Sequence, residues 1–561
     1  MNKYLSILLT PVLLIFLTNC STQKTSTEEN IAEQSTYPKV SFEQPPNILW
    51  LVTEDLSPYL ASFGDSTVYK YTPNLNRLTE EGITFTNTYS PSGVCAPSRF
   101  AIATGMYPSS MGGNHMRTTG NSYFDELGII PYDVVTPPGV KMMSEILREH
   151  GYYTSNNAKN DYQFHATKTA WDENGRDAHY KHRAEGQPFF AIFNFEVTHE
   201  SRIWVKAEDS LYIPEDLEVP IPPYLPDTEV AVKDIRRMYS NIVEMDVQIG
   251  EKIKELEEAG LLDNTIIFWY GDHGGPLPRQ KRLLYDSGMQ LPLIIRFPDG
   301  TQANTLDDRL ISFIDFAPTT FSLAGIKPPD YLQGQAFLGE YTAKPRKYVH
   351  GAADRFDGKY DMIRAVRDKR FKYLKNFKPD QPYYLPVTYR EQMPIMQELL
   401  RLNKEGKLNE IQSQWFRQTK DEEELFDCDN DPYELHNLAN DPKYADKLAE
   451  LRTECERWMK ATDDKGFMPE KELIESFWPN MMQPVTAQAS YQIANNELNL
   501  SVATEGASIG YQFVEPGTEP TDKWQVYTKA VSIPENKNIY LITDRIGYAP
   551  SEPVKVDLNE N

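Results

Sequence analysis

The feature that most constrains the fold is a series of apolar runs separated by helical patterns. Residues 47–53, 189–195, 264–270 and 291–297 form such runs. Runs of this length without polar alternation are typical of strands that are buried on both faces of a parallel sheet. Residues 235–262 instead repeat apolar side chains at helical spacing. We therefore predict an α/β domain whose large, mainly parallel sheet is flanked by helices.

Acidic residues follow two of these runs. Glu54 and Asp55 come directly after the first run, and Asp272 and His273 come shortly after residues 264–270. In open α/β sheets, ligands bind beyond the carboxyl ends of the strands. We therefore expect these four side chains to share one site.

The length and charge of the chain limit its organisation and its partners. With 561 residues the chain is too long for one hydrophobic core, and two or three domains are expected. Its formal net charge of -24 repels nucleic acid, so no nucleic-acid partner is expected. A polyanionic substrate is repelled as well, and any anion-binding site therefore has to be a local cationic pocket.

The N-terminus has the pattern of an export signal. Lys3 precedes an apolar run over residues 4–17, which at about fourteen residues is too short to span a membrane comfortably. The run ends before Cys20 in a sequence similar to a bacterial lipobox. We predict a lipoprotein signal peptide over residues 1–20 with Cys20 as the lipidated residue. Asn19 is atypical before that cysteine, so a plain secretory signal is the alternative.

Residues 21–44 are predicted to form a flexible tether. The segment is rich in Ser, Thr, Glu and Gln, a composition that cannot bury a core. A lipid anchor followed by a tether predicts a lipoprotein of the bacterial cell envelope, on the periplasmic or cell-surface face of a membrane. If the lipobox is not used, the protein is expected to be secreted.

The chain has four cysteines, and two of them lie in the C-terminal part. Cys428 and Cys455 could form a disulfide in an oxidising compartment, but the sequence does not show whether their backbones approach closely enough. Pairing and free thiols both stay open.

The remaining chain divides into three predicted parts. Residues 45–338 carry the strand–helix alternation and form the predicted catalytic domain, and residues 339–478 form a smaller α+β C-terminal subdomain. Residues 479–561 contain short alternating strands separated by Gly and Pro, which predict an appended β-sandwich. That last part resembles the fibronectin-III-like accessory modules of secreted carbohydrate enzymes.

Three motifs carry a resemblance to a known family. Residues 95–105, which begin Cys-Ala-Pro-Ser-Arg and end Thr-Gly, resemble the C-x-P-S-R-x-x-L-L-T-G signature of type I sulfatases. Residues 46–55 resemble the P-N-I-L-x-I-x-x-D-D opening of that family, and residues 272–274 resemble its D-[NH]-G motif. The resemblance covers about residues 46–474 and implies an alkaline-phosphatase-like fold. Without it, Cys95 would be read as a small buried core residue.

The resemblance implies a modified nucleophile and a metal ion. Cys95 would be oxidised to formylglycine (3-oxoalanine) by a formylglycine-generating maturase before folding. One calcium ion would be bound by residue 95 and by the two acidic pairs, Glu54 with Asp55 and Asp272 with His273. Glu54 replaces the family's aspartate, and the His273 imidazole departs from the oxygen ligands that calcium prefers.

The resemblance also assigns cations to the sulfate group. Arg99 would hold the nucleophile, Lys281 matches the sulfate-binding lysine, and Lys159 matches a second lysine of the family. His199 matches a histidine that contacts sulfate and is a candidate acid for the leaving group. Positioned cations suit this reaction because its transition state spreads negative charge over several oxygens.

One position departs from the family pattern. Asp161 stands where the family has the histidine that helps to release sulfate from the enzyme. Asp161 could act as the base instead, or His115 could supply the imidazole or contact the substrate. The sequence leaves these alternatives open.

The predicted function is hydrolysis of sulfate esters on a sulfated oligo- or polysaccharide. Residues 354–364 and 156–162 resemble polysaccharide-degrading sulfatases of Bacteroidetes-type bacteria, which makes ulvan or heparan-like chains candidate substrates. A phosphonate or phosphodiester hydrolase of the same superfamily is one alternative. A non-catalytic glycan-binding surface lipoprotein with an unconverted Cys95 is the other.

Overall fold

An eight-stranded sheet occupies the centre of the larger N-terminal part. The computed structural model describes residues 40–120 and 122–558, so the predicted signal peptide, Cys20 and most of the predicted tether lie outside the described residues. The strands are Asn47–Thr53 (β1), Gly82–Tyr89 (β2), Tyr153–Asn157 (β3), Glu173–Asn174 (β4), Phe189–Phe195 (β5), Thr265–Gly271 (β6), Gln290–Arg296 (β7) and Thr305–Ser312 (β8).

The strand order in this sheet is β4-β3-β5-β1-β6-β7-β2-β8. β7 is antiparallel to β6 and to β2, while the other neighbouring strands pair in parallel. The prediction of a large, mainly parallel sheet is therefore confirmed. The sequence could not show that residues 291–297 run in the opposite direction, because a buried strand is apolar in either orientation.

The central strand β1 explains why its sequence is apolar throughout. All seven residues of β1 are buried. Leu49 and Leu51 belong to one hydrophobic cluster, whereas Ile48, Trp50 and Val52 belong to another. Since successive side chains of a strand point to opposite faces, both faces of the sheet are covered. The polar residues that follow the strand therefore lie at its end and not on either face.

Helices cover the sheet and the C-terminal part. They are Pro73–Glu81 (α1), Cys95–Thr104 (α2), Pro108–Met111 (α3), Phe124–Leu127 (α4), Met143–Glu149 (α5), Ser201–Val205 (α6), Glu229–Glu258 (α7), Asp286–Met289 (α8), Phe316–Leu323 (α9), Pro394–Lys404 (α10), Glu410–Ser413 (α11), Ala445–Ala461 (α12) and Glu470–Phe477 (α13). α7 begins six residues before the apolar pattern does, because the Thr228 side chain caps it by accepting from the Ala231 N–H at 3.3 Å. It ends before Gly260, whose φ is +65°.

Antiparallel sheets follow in the C-terminal part. Val349–Phe356 (β9), Lys359–Arg367 (β10), Phe371–Asn376 (β11) and Glu423–Asp427 (β12) form one sheet in the order β12-β11-β10-β9. Ala489–Ala494 (β13), Glu497–Val502 (β14), Ser508–Val514 (β15), Gln525–Val526 (β16), Val531–Ser532 (β17), Asn538–Asp544 (β18) and Val554–Lys555 (β19) form two more, β13-β14-β17 and β16-β15-β18-β19. Leu498 and Leu541 pack in a core that these two sheets share. The predicted fold class is confirmed.

The terminal sandwich is docked on the sheet domain by specific polar contacts. Its hydrogen bonds run from Arg148 NH2 to the Trp524 carbonyl (2.7 Å), from the Lys168 N–H to Asp544 Oδ2 (2.8 Å), from Arg545 NH2 to the Thr136 carbonyl (3.0 Å) and from the Ser508 hydroxyl to Glu145. The Glu145 and Asp544 side chains are both buried. The module is therefore a packed part of the molecule and not a freely moving appendage.

Two further expectations concern cysteines and membrane helices. Cys428 and Cys455 are both free thiols that are buried in separate hydrophobic clusters, so the disulfide between them is not formed. Within the described ranges, no helix has the length and apolar character needed to cross a membrane.

Candidate active site

The acidic residues predicted at two strand ends meet at one point. β1 delivers Glu54 and Asp55, and β6, its parallel neighbour, delivers Asp272 and His273. The Asp55 N–H donates to Asp272 Oδ1 at 3.0 Å. All four side chains are buried, and adjacent parallel strands place their carboxyl ends together.

Cys95 lies against these residues at the first position of α2. Its Sγ is 3.3 Å from His273 Nε2 and 3.9 Å from Asp55 Oδ1. His273 Nε2 is in turn 3.1 Å from Asp55 Oδ1 and 3.6 Å from Asp272 Oδ1. Four donor atoms therefore converge on one small volume.

This donor set fits a divalent cation. The two carboxylates supply hard oxygen ligands, and His273 adds one imidazole nitrogen. The Cys95 sulfur is a soft donor, so only an oxygen at this position would complete a hard set. His273 Nδ1 lies 3.0 Å from the Gly274 carbonyl, which fixes the ring and turns Nε2 toward the carboxylates. Glu54, which was also predicted as a metal ligand, is not among these four donor atoms. Its Oε1 instead binds Lys159 Nζ at 2.7 Å.

Three cations surround the same point, and each is bound to a buried acid. Lys281 Nζ lies 2.9 and 2.8 Å from the two carboxylate oxygens of Asp55. Arg99 NH2 lies 3.1 Å from Asp272 Oδ2, and Lys159 binds Glu54. These contacts fix the direction of each cation before any substrate is bound.

The charges give residue 95 an electropositive environment. Burial raises the pKa of the Cys95 thiol, but Lys281 and Lys159 outweigh burial and lower its pKa to about 6. The amide groups at the N-terminus of α2 also favour negative charge there. The site is therefore built to stabilise an anion at residue 95.

His199 stands on the open side of this cluster, after a turn over Glu196–Thr198. Its Nε2 is 3.1 Å from Lys281 Nζ. Because the Lys281 ammonium only donates, Nε2 accepts from it. His199 Nδ1 lies 2.9 Å from the Ser201 hydroxyl oxygen, which holds the ring with Nε2 on the side that faces Lys281.

Asp161 lies at the edge of the cluster between two cations. Its carboxylate is 3.7 Å from Lys159 Nζ and 3.6 Å from Arg117 Nε. Burial raises its pKa, but Lys159, Arg117 and Arg99 together hold it below the usual value. Asp161 is thus a persistent carboxylate and a weak base.

His115 has a different neighbourhood. Its Nδ1 accepts from the Arg355 N–H at 3.2 Å, and its ring lies 6.1 Å from that of Tyr360. Among the contacts of the described residues, none joins the His115 ring to the residues around Cys95. The alternative in which His115 supplies the catalytic imidazole therefore gains no support from the geometry, because the ring is held by the C-terminal subdomain.

Two residues of the site were missed by the sequence analysis. Asn194 accepts from Arg99 NH1 at 2.7 Å, and Glu200 binds Lys281 at 3.2 Å and Arg282 at 2.8 Å. Asn194 is the polar residue in an otherwise apolar strand, and this feature of the sequence could have indicated a functional role. Glu200 gives no such signal, since an acid in a loop is usually solvated.

A separate group of metal-type side chains joins Asp286 of α8 with Cys428 and Glu434 of the C-terminal part. Lys372 Nζ is 2.5 Å from Asp286 and 3.2 Å from Glu434. A lysine therefore already provides the cation between these two carboxylates.

A nucleophile position between acidic metal ligands and fixed cations, at the carboxyl edge of a parallel sheet, suits the transfer of a small tetrahedral anion. The class that the fold and site define is a hydrolase of anionic esters.

Comparison with known proteins makes the class specific. The family model described as Sulfatase matches residues 46–326, and the model for the C-terminal part of N-sulphoglucosamine sulphohydrolase matches residues 273–414. An ulvan-active sulfatase of Formosa agariphila is 51% identical over 557 residues, which cover 93% of this chain and 93% of the relative. The chain belongs to the sulfatase family and is a sulfuric ester hydrolase.

Solved structures share the fold at low identity. A protein in complex with its substrate, D-glucosamine-2-N,6-O-disulfate, has a TM-score of 0.55 and 18% identity, and covers 76% of this chain and 100% of its own. A 2-O GAG sulfatase has a TM-score of 0.55 and 19% identity, and covers 75% of this chain and 93% of its own. The predicted alkaline-phosphatase-like fold is confirmed.

Proposed function

We propose that this chain is an exported sulfatase that removes sulfate esters from an algal polysaccharide of the ulvan type. The observation that carries the chemistry is the position of Cys95 at the start of α2, between acidic side chains and fixed cations. The substrate class rests on the 51% identical relative, whose name is ulvan-active sulfatase.

Conversion of Cys95 to formylglycine and binding of one calcium ion complete the proposed site. Asp55, Asp272, His273 and residue 95 would hold the ion, because their donor atoms already converge. The hydrated aldehyde and the cation together supply a nucleophilic oxygen at neutral pH. Unmodified side chains bind the sulfate group and protonate the leaving alcohol.

Lysine and arginine side chains bind and orient the sulfate group. Lys281 and Lys159 approach residue 95 from two sides, and both lower the pKa of the Cys95 thiol. Arg99 donates to Asp272 and Asn194, and these bonds fix its guanidinium beside the proposed sulfate pocket. Negative charge grows on the sulfate oxygens and the leaving oxygen during the reaction, so cations that are fixed beforehand stabilise the transition state most.

His199 protonates the leaving alcohol. Lys281 Nζ lies 3.1 Å from His199 Nε2 and holds that edge of the ring toward the sulfate pocket, and the proton is donated from Nε2 when the ring is in its imidazolium form. Proton donation to a leaving oxygen is worth about 10²- to 10⁴-fold in rate. The sugar is therefore released as a neutral hydroxyl.

Asp161 positions Lys159 and Arg117 in this proposal. A carboxylate whose pKa is lowered by neighbouring cations holds a proton poorly, and Lys159 and Arg117 lie within 4 Å of it. The family's histidine is thus replaced by an ion-pair partner and not by an equivalent base.

The proposed export rests on the N-terminal sequence alone. The signal peptide over residues 1–20, lipidation of Cys20 and the cell-envelope location are predictions from that sequence. Calcium and the maturase are proposed from the family resemblance. A sulfated polymer is too large to enter a cell readily, which makes an exported enzyme consistent with the proposed substrate.

Two measurements test the proposal. Mass spectrometry of the peptide around Cys95, after expression with a maturase, is expected to show an aldehyde; a thiol would favour the glycan-binding alternative. Hydrolysis of ulvan oligosaccharides, phosphate diesters and phosphonate monoesters is compared. We expect the highest kcat/KM for release of sulfate from the ulvan oligosaccharides. Faster cleavage of a phosphorus ester would overturn the sulfatase assignment for the native substrate.

Metal removal provides a further prediction. Treatment with a chelator is expected to lower sulfate release by about 100-fold or more, because the proposed cation would no longer help to activate the nucleophile at residue 95. Added calcium should restore the activity, and elemental analysis should find about one calcium per chain. Full activity in a metal-free sample would contradict the proposed ion.

A further inference from the structure

A cavity with both apolar and charged lining residues lies beside His115, outside the group around Cys95. It has a volume of about 470 Å³ and is lined, among others, by His115, Asp354, Tyr360, Lys378, Glu470 and Lys471. Cavities of a few hundred Å³ are the size of small-ligand sites.

His115 presents an unused donor at this cavity. His115 is 3% exposed, and burial lowers its pKa, so the ring is neutral. Because Nδ1 accepts from the Arg355 N–H, the proton is on Nε2. Nε2 has no hydrogen-bond partner among the described residues. A buried N–H donor without an acceptor is unfavourable, and a ligand oxygen would satisfy it.

The acids of the cavity are already neutralised. Asp354 binds Arg364 at 3.1 Å, and Glu470 binds Arg355 at 2.7 Å. Asp361, which also borders the cavity, binds Lys420. Each of these carboxylates is thus unavailable to attract a cationic ligand.

The lysines of the cavity are not neutralised. Lys378 and Lys471 form no ion pair with any residue of the described ranges, and the Lys378 ammonium stands 5.6 Å above the Tyr360 ring. The cavity therefore carries uncompensated positive charge on a chain whose net charge is -24. Charge complementarity favours an anion here.

A short segment connects this cavity to the active site. His115 borders the cavity, and Arg117, two residues later, is 3.6 Å from Asp161 at the edge of the active site. Two residues span at most about 7 Å between their Cα atoms. The cavity therefore lies close to the edge of the active site.

We propose that this cavity is a subsite for an anionic sugar unit of the same glycan whose sulfate ester is hydrolysed at residue 95. This inference rests on the proposed function. Lys378 and Lys471 attract the charged group of that unit, and the His115 Nε2–H donates to one of its oxygens. The bound group is a carboxylate or a second sulfate.

The test compares a sulfated oligosaccharide that carries an additional anionic unit with the sulfated monosaccharide alone. The native enzyme is expected to hydrolyse the oligosaccharide with a kcat/KM at least tenfold higher. The double variant Lys378→Ala/Lys471→Ala is expected to lose most of that ratio through a higher KM. Lys443→Ala, on the exposed surface of the C-terminal part, is the matched control and should keep the ratio.

Further variants separate binding from folding. His115→Leu is expected to lower the same ratio and His115→Gln, which keeps an N–H donor, to lower it less. Melting temperatures show whether these buried variants are folded, while the two lysine positions lie nearer the surface and keep the test independent of folding. Reduction of the carboxylate identifies the bound group: if the ratio then falls, the group is a uronate, and if it persists, a sulfate.

Three results would overturn the subsite: no preference of the native enzyme for the oligosaccharide, the same ratio in the double lysine variant, or equal losses on both substrates. Failure of the proposed function is a different result, since neither substrate would then release sulfate.

Discussion

At the residue scale, every cation near Cys95 is held by its own buried acid. Asp55 binds Lys281, Asp272 binds Arg99, and Glu54 binds Lys159. A buried charge without a partner costs several kcal/mol, so the two sets of charges can be buried only together. The same pairing gives the site its rigidity, because no cation is free to swing toward solvent.

Asn194 tests this rigidity. It accepts the bond from Arg99 NH1 at 2.7 Å, and such a bond to a charged group is worth about 1.5–3 kcal/mol. Asn194→Ala is therefore expected to lower kcat by about 10- to 100-fold with a small change in KM. Asn87→Ala, which removes an exposed side-chain bond to the Asp308 carbonyl, should leave kcat unchanged. An equal effect of both variants would contradict the role of Asn194.

Asp161→Asn distinguishes a positioning carboxylate from a base. Since Lys159 and Arg117 lower the pKa of Asp161, we expect the variant to lose less than tenfold in kcat and to show a higher KM for the sulfated substrate. Loss of a general base costs about 10²- to 10⁴-fold, so a fall of that size would assign Asp161 the family histidine's task. Asp177→Asn, at an exposed acid, is the control.

The strand-end acids were predictable from sequence, and their partners were not. Asp55 and Asp272 follow apolar runs directly, and topology alone brings the ends of β1 and β6 together. Glu200 is close to Lys281 only because the chain folds back after β5, a contact between residues 81 positions apart that no local pattern reports. Pairing partners of this kind depend on tertiary packing.

At the element scale, the turn after β6 carries both a metal-type ligand and the loop of Lys281. Gly274 follows His273, and a Cβ at this position would lie 2.2 Å from the Ser287 carbonyl oxygen. Only a residue without a side chain fits against that backbone. The turn therefore fixes the distance between the end of β6 and the lysine loop.

Gly274→Ala is expected to destabilise the protein by about 1–3 kcal/mol through overpacking and to lower kcat/KM at least tenfold by displacing the loop. Thermal unfolding and sulfate release measure the two effects. Gly120→Ala, where a Cβ meets nothing within 4 Å, is the control. A normal melting temperature and normal activity in Gly274→Ala would show that the turn adapts.

Element type was easier to predict than direction or boundary. The apolar run at residues 291–297 is a strand, but its antiparallel direction is set by its neighbours β2 and β6. α7 begins at Glu229 in a polar stretch, because the Thr228 cap and not the apolar pattern decides where the first turn forms.

At the scale of the whole molecule, the terminal sandwich shares a polar interface with the sheet domain. Short alternating strands predicted the sandwich itself. Its docking could not be predicted, because it depends on side chains such as Glu145 and Asp544 that look like surface acids in the sequence. The structure buries both of them at the junction.

Burial makes this junction sensitive to pH, since it raises the pKa of Asp544 to about 7, whereas the unfolded value is about 3.9. Between these values the folded state binds more protons, so the stability contributed by protonated Asp544 is complete below about pH 4 and is lost as pH rises toward 7. Asp544→Asn cannot ionise. We therefore expect the variant to gain stability relative to the native chain between pH 5 and pH 8, by a few kcal/mol at most.

Melting temperatures of both proteins at a series of pH values measure this difference. Glu519→Gln, at an exposed acid in the same module, should follow the native curve. A difference between Asp544→Asn and the native chain that does not change with pH would show that Asp544 is already ionised in the fold.

The complete burial of residue 95 has a consequence for how active molecules arise. Its side chain is 0% exposed, between α2 and the ends of two central strands. Under the proposed conversion of Cys95 to formylglycine, the maturase would reach the thiol only while the chain is still unfolded, so maturation and folding would compete in time. A molecule that folds first keeps its thiol until it unfolds again. The specific activity of a preparation would then depend on the fraction of molecules converted before they folded. Later exposure to the maturase would not raise that activity.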